Sequence, residues 1–333
     1  MKNEYQKMEA IVGVTYRCNF RCLRCHTWKY PTRPEQEISL EVIKKLPKMA
    51  FANITGGEPF LRKDINEIGR IVADKCKRIT IVTGGYFPKK VVEFTKANPD
   101  IGIRVSLEGL PTSSNKLRGM PNGFDRSMQT LLDVAETGLK DIGFSITISD
   151  ENYQDLMHLY RLSKHLKWEF ATAVVHNSYY FHKMDNEIEN KEAIKHEFYT
   201  LMEDFLKTKK IKNWYRAWFV GGIINKIDEK KRLIKCSAAK NMFFLDPLGE
   251  IRPCNVLQES LGNLNYQSFE NIWYSHQAEQ VRQKVDACDQ QCWMIGSVAD
   301  RMKASIHIPT KWVILNKWNM IRGKPVDLPC PPE

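Results

Sequence analysis

Seven of the nine cysteines fall into two groups: Cys18-x3-Cys22-x2-Cys25 near the N-terminus, and Cys236, Cys254, Cys288 and Cys292 toward the C-terminus. Three thiolates on one short loop can hold three irons of a four-iron cluster and leave the fourth open to a substrate or cofactor. A zinc site short of one ligand, completed by His26, would use the same residues. The four later cysteines suit either tetrahedral zinc or a cluster in which the protein holds every iron. Disulfides are not expected, because in a reducing compartment such groups serve metals or catalysis. Cys76 and Cys330 stand apart, the first read as a small buried hydrophobe and the second as a tail residue.

Further polar residues follow apolar runs. Gly56-Gly57-Glu58-Pro59 combines glycines, which let backbone approach a ligand closely, with a carboxylate suited to an ammonium group. His176, Asn177, Tyr179 and Tyr180 follow a later run. Of these, His176 and Tyr180 are the candidate catalytic residues, as substrate contacts or a proton acceptor.

These residues need elements to position them. Short β-branched runs at 10–16, 50–55, 78–83, 101–107, 142–148 and 170–175 read as strands. Helix candidates lie near 38–48, 63–75, 87–97, 124–137 and 152–166. In the fourth, Phe124, Met128, Leu131, Leu132 and Ala135 recur at helical spacing. The alternation predicts a parallel α/β sheet covered on both faces, with ligands at the C-terminal ends of its strands. The cysteine triad and the Gly-Gly-Glu-Pro segment both fall at that end. A catalytic domain is expected over 1–190, a mostly helical linker over 191–235, a compact cysteine-bearing unit over 236–300 and a basic, Trp-containing tail over 301–333. Within the unit, 242–254 reads as a hairpin and 268–285 as one helix capped by Ser268.

The 333 residues carry 50 Lys and Arg against 39 Asp and Glu, a net charge of +11. Their 43% apolar content excludes disorder and collagen-like repeats. No run approaches the roughly 18 apolar residues of a membrane span. The opening residues hold no secretory apolar segment, so the reading is cytoplasmic. Basic residues are spread along the chain without a nucleic-acid motif, so no specific nucleic acid is expected. The tail KWVILNKWNMIRGK (311–324) mixes Trp and aliphatic residues with Lys and Arg. It reads as cover for the domain's own core, with weak contact to an acidic membrane surface as the alternative.

The cysteine triad, Gly-Gly-Glu-Pro and alternating βα units, in this order, resemble the radical S-adenosylmethionine (radical SAM) superfamily over residues 10–180. The resemblance implies a partial (β/α)6 TIM-like barrel, a [4Fe-4S] cluster on Cys18, Cys22 and Cys25, and SAM chelated to the open iron. In that family one electron cleaves SAM, giving a 5′-deoxyadenosyl radical that abstracts a substrate hydrogen. By the same likeness Gly56, Gly57, Glu58 and Pro59 meet the methionine ammonium, Ser106 and Glu108 contact SAM, and Arg118 meets the methionine carboxylate. Arg24 stands where the family usually has an aromatic residue near the adenine, leaving His26 or Trp28 for that contact. The spacing of Cys236, Gly249, Cys254, Cys288 and Cys292 resembles the SPASM/twitch auxiliary domains. That likeness implies a small α+β unit with one auxiliary [4Fe-4S] cluster.

The leading functional expectation is a radical SAM oxidoreductase acting on a small hydroxylated or sugar-like substrate, similar to twitch-bearing aminocyclitol dehydrogenases. The auxiliary cluster would accept an electron, and a donor such as flavodoxin or ferredoxin would supply one. The first alternative is a peptide-modifying maturase or epimerase. Many of these carry an N-terminal peptide-binding domain, and only 17 residues precede Cys18 here. A relative of the molybdenum-cofactor GTP cyclases comes third, and a metal scaffold without turnover is the non-enzymatic reading.

Overall fold

The computed structural model describes residues 7–331. Most of the segment read for a secretory signal, and the outermost ends of the first and last expected domains, lie outside the described residues. The six expected strands form: β1 (Glu9–Gly13), β2 (Met49–Thr55), β3 (Cys76–Thr83), β4 (Ile101–Ser106), β5 (Ile142–Ile148) and β6 (Glu169–Val174). Each pairs in parallel with its sequence neighbour, so every strand ends on the same edge of the sheet. Val12, Ile54, Ile81, Ile103, Val105 and Phe144 are fully buried within it, as strands covered on both faces require. The architecture is that of an open (β/α)6 barrel.

Helices α1 (Leu40–Lys44), α2 (Ile65–Ala73), α3 (Pro88–Ala97), α4 (Pro111–Arg118), α5 (Gly123–Glu136) and α6 (Leu156–Leu166) fill the crossovers. In α5 the buried stripe is turned from the expected one. Leu132 is exposed, whereas Ser127, Thr130 and Val134 are buried. The reason is polar: the Ser127 hydroxyl donates to the Gly84 carbonyl at 2.7 Å and Thr130 donates to that of Gly85 at 2.6 Å. These bonds pin the glycine turn at the end of β3 to the helix. Helix α4 was not expected from the sequence, although Pro111 at its first turn and Gly119 in the left-handed region just past its end (φ 56°) mark it.

Residues 191–235, expected as a mostly helical linker, form α7 (Lys191–Lys207) and α8 (Ile211–Ile227), packed on each other and on the catalytic domain. Trp218, Val220, Ile223 and Ile224 of α8 are buried, along with Phe198 and Leu201 of α7. The cysteine-bearing unit is likewise continuous with the catalytic sheet. Strand β7 (Met242–Leu245) pairs in parallel with the free side of β1, and β8 (Glu250–Arg252) and β9 (Gly262–Asn263) add antiparallel. The result is one nine-stranded sheet, ordered β6-β5-β4-β3-β2-β1-β7-β8-β9. The helix expected over 268–285 is two, α9 (Phe269–Trp273) and α10 (His276–Asp286). Ser275 caps the second by accepting from the Ala278 amide at 3.0 Å, just as Ser268 caps the first. Helices α11 (Ile295–Ala304) and α12 (His307–Ile321) complete the chain, the latter laid on α8. No helix among the described residues is long and apolar enough to cross a membrane.

Candidate active site

The chain leaves β1 at Gly13, three residues before the expected strand end, and bends across the sheet edge as the cysteine loop. Three neighbouring loops hold it. The Gly57 amide donates to the Thr15 carbonyl at 2.7 Å and the Glu58 amide to that of Arg17 at 2.8 Å. A Cβ on Gly57 would lie 2.2 Å from the Arg17 oxygen, and one on Gly56 would lie 2.7 Å from that of Thr15. Glycine is therefore required by the packing of the two loops. On the far side, the Arg21 and Leu23 amides donate to the carbonyls of Arg118 and Leu117. Behind it, the His26 amide donates to the Phe181 carbonyl at 2.7 Å, and the Thr27 hydroxyl to that of Tyr180.

A residue with no motif to announce it anchors the loop's base. Glu37 accepts from Arg17 at 2.8 and 2.7 Å, from Arg62 at 3.2 Å, and from the hydroxyls of Thr32 and Thr15. Burial alone would raise its carboxyl, but bonds from Arg17, Thr15 and Thr32 overcome that and hold it below the ordinary range. Its stabilisation is present above the ordinary carboxylate range and is lost as pH falls through the lowered folded-state value. Glu37→Ala leaves two guanidinium groups facing each other; the expected cost is roughly 3 kcal/mol, read from anaerobic urea denaturation. A loss under about 1 kcal/mol, typical of an exposed pair, would remove Glu37 from this role.

Cys18, Cys22 and Cys25 line a cavity of about 270 Å³ at the C-terminal strand edge, with Gly56, Gly57, Gly84, Ser106, Glu108 and Arg118 around it. None of the three is in a disulfide. Burial pushes each thiol up, that of Cys22 to about 11 despite the neighbouring Arg118, so ionisation waits on a bound cation. No three His, Cys, Asp or Glu side chains among the described residues converge on a point that could hold a single ion. Three cysteine thiols on one loop are the donor set of a four-iron cluster with one open iron, and they share their cavity with the glycines and polar residues around it.

Glu58 does not face this cavity. Its side chain is fully buried and accepts from the Phe60 amide (3.1 Å), the Thr83 hydroxyl (2.8 Å) and the Gly84 amide (2.7 Å). Pro59 is buried in the turn that Glu58 caps. The carboxylate expected at an ammonium group thus ties the β2 and β3 loops together, and Gly56 and Gly57 are the residues of that segment on the cavity wall. Ser106 and Glu108 do reach the wall. Glu108, raised by burial, accepts from the Thr147 amide at 2.9 Å. Arg118 is 3% exposed, its guanidinium carbon 3.7 Å from the centre of the Phe20 ring. It donates to the carbonyls of Gly84 and Ser106, which commits part of its fork to the chain itself.

At the position where an aromatic was expected, Arg24 donates to the Thr147 carbonyl and to Glu151, with Glu108 at 3.8 Å; its Nε has no partner. Of the two aromatic substitutes, Trp28 lines the cavity, and His26 lies outside it against Lys29. His176 also lines the cavity, with both ring nitrogens buried and unpartnered and its ring 5.4 Å from that of Phe181. Burial lowers its pKa from 6.5 to about 4, so the ring is neutral at pH 7. The unfolded chain protonates His176 near 6.5 and the folded one only near 4, so stability must fall as pH drops across that interval. The loss is up to roughly 3 kcal/mol. His176→Gln should remove that share of the acid sensitivity between pH 7 and pH 4.5; an unchanged difference would place the imidazole in solvent.

Tyr180 is elsewhere. It is 5% exposed and packs behind the cysteine loop, 5.4 Å from the Tyr16 ring and 4.6 Å from Phe244. Chain direction explains the separation: after His176 the segment leaves the cavity wall to pair with the cysteine-bearing unit, and it returns to the wall at Phe181. The Tyr179 and Tyr180 amides donate to the carbonyls of Val256 and Asn255, immediately after Cys254. Asn177 is bound to the Asn186 amide, and Tyr179 lies under Arg252. One short segment thus touches the loop of Cys25 on one side and the neighbours of Cys254 on the other.

The four later cysteines are gathered by different elements: Cys236 before β7, Cys254 after β8, and Cys288 and Cys292 after α10. All are free thiols, and Cys254 interacts electrostatically with Cys292 and Cys236, and Cys292 with Cys288. Burial pushes Cys254 up to about 12, while Lys226 and Arg232 oppose burial at Cys292. Four free thiols brought together in this way are a donor set that an iron–sulfur cluster can use.

Comparison with known proteins agrees with both groups. Residues 12–163 match the radical SAM superfamily, and residues 236–294 match SPASM, an iron–sulfur cluster-binding domain. The Fe-coproporphyrin III synthase of Methanosarcina barkeri is 30% identical over 169 residues, 47% of this chain and 41% of that protein. The antilisterial bacteriocin subtilosin biosynthesis protein AlbA of Bacillus subtilis is 25% identical over 287 residues, 82% of this chain and 61% of that protein. The chain thus spans less than two thirds of either relative. Streptococcus suis SuiB, solved bound to its precursor peptide SuiA, shares the fold with a TM-score of 0.65 at 16% identity, covering 90% of this chain and 74% of that one. This chain belongs to the radical SAM superfamily, with SAM and a [4Fe-4S] cluster as cofactors and a C-terminal SPASM domain for auxiliary iron–sulfur.

Proposed function

We propose that this enzyme modifies a peptide, taking a hydrogen atom from one residue so that a crosslink or an inverted centre results. The carrying observation is the likeness to the subtilosin biosynthesis protein, which extends over 82% of this chain. The peptide-bound relative of the same fold adds weight. This reading replaces the expected small hydroxylated or sugar-like substrate. Bound at Cys18, Cys22 and Cys25, the cluster and SAM supply one-electron cleavage and a carbon radical able to take that hydrogen.

The chain's own residues shape where this happens. Phe20, Leu117, Val175 and Phe181 form apolar parts of the cavity wall. Arg24 Nε and the neutral His176 ring present unpartnered polar atoms to a substrate, and His176 can take a proton. Arg118 places positive charge beside Cys22. Cys236, Cys254, Cys288 and Cys292 would hold an auxiliary cluster, which would supply an electron acceptor where the outcome is oxidation. The net charge of +11 favours docking of an acidic electron donor such as flavodoxin or ferredoxin.

The test uses oxygen-free, cluster-loaded protein with SAM, a reductant and a library of synthetic precursor peptides, in D2O. Loss of a hydrogen pair from a peptide, or its gain of deuterium, matched to 5′-deoxyadenosine release, is the expected result. Inert peptides beside an oxidised cyclitol or an altered coproporphyrin would overturn it; the second outcome would align the enzyme with its coproporphyrin-related relative.

A further inference from the structure

Helix α12 is apolar on two opposite faces. The inner face, with Trp312, Val313 and Asn316 buried, lies on α8. The Trp312 indole donates to the Asp327 carbonyl at 2.9 Å, and Lys317 to that of Leu206 at 2.9 Å. The core is therefore covered, as the sequence suggested. The outer face is not needed for that. Ile314, Trp318 and Ile321 follow one another at helical spacing and are 65%, 50% and 76% exposed, with Leu315 at 51% beside them. Arg322 stacks over the Trp318 ring at 4.5 Å, and Lys311 is exposed one turn earlier.

Charge identifies the occupant. From Arg301 to Lys324 the chain has six Lys or Arg and no Asp or Glu. A second copy docked on this face would oppose one basic surface with another. An aliphatic stripe with a Trp–Arg pair, flanked by cations, matches instead the boundary between acyl chains and anionic headgroups. We propose that the outer face of α12 docks this enzyme on an anionic lipid surface, lying in its plane without crossing it.

The test floats the full, cluster-loaded chain on a density gradient with phosphatidylcholine vesicles, either alone or containing phosphatidylglycerol. The chain is expected to rise with the phosphatidylglycerol vesicles, stay behind with phosphatidylcholine alone, and be released by high salt. Lys311→Ala and Arg322→Ala, both fully outward, should each weaken binding roughly fivefold. The combined I314S/W318S/I321S variant should lose it, with an unchanged far-UV circular dichroism spectrum showing that it is folded. Failure to float with phosphatidylglycerol, or serine and alanine variants that bind like the parent, would overturn the proposal. So would a dimer that the serine variant dissociates, which assigns the face to a second copy.

Discussion

Cys22→Ala is expected to reduce 5′-deoxyadenosine release to background. Cys22 lies in the middle of the triad, in a stretch where the loop is pinned to α4 through the Arg21 and Leu23 amides. Those bonds are backbone bonds, so alanine leaves the loop in place and removes only the sulfur. Loss of an outer partner of a metal ligand costs about 10–100-fold, and loss of a ligand should cost more. Iron bound per chain should fall by the share of one cluster while the auxiliary iron stays. Undiminished release of 5′-deoxyadenosine would place the open iron elsewhere.

Cys254→Ala should separate two activities. Its neighbours Asn255 and Val256 hold Tyr180 and Tyr179 through main-chain bonds that do not involve the thiol. SAM cleavage should therefore stay within about twofold of the parent, as for distant, uncoupled sites. Product formation should fall by more than roughly 100-fold if the auxiliary cluster takes the substrate's electron. Full product yield would remove that cluster from the reaction, and loss of SAM cleavage as well would show that the two sites form one unit.

Strands were the most legible feature because each is a short β-branched run between turns. Their ends were less so: Val14 to Tyr16 look like strand, yet they leave the sheet to receive the β2 loop, with the Val14 amide on the Thr55 carbonyl. Helix α8 escaped detection because residues 217–225 are buried all round, which erases the helical period. The break between α9 and α10 was visible in principle, since Ser275 carries a capping side chain as good as that of Ser268.

At the site, residue type was legible and direction was not. Cys18, Cys22 and Cys25 line one cavity, as their shared loop suggested, whereas Glu58 and Tyr180 are not part of its wall. Glu58 is claimed by Thr83 and Gly84, donors from another strand that no local pattern joins to it. Tyr180 is claimed by a strand-end segment far along the chain, since its amide bonds to Asn255 with a sequence separation of 75. Glu37 shows the converse. Nothing around it in the sequence marks it, and only the fold brings Arg17, Arg62, Thr15 and Thr32 to it.

The most direct measurement is a pair of Mössbauer and electron paramagnetic resonance spectra of reduced, oxygen-free protein, before and after SAM is added. Two sets of iron signals are predicted, of which one shifts with SAM and vanishes in the Cys22→Ala chain. Zinc in place of iron at the triad, or iron signals indifferent to SAM, would contradict the assignment of Cys18, Cys22 and Cys25.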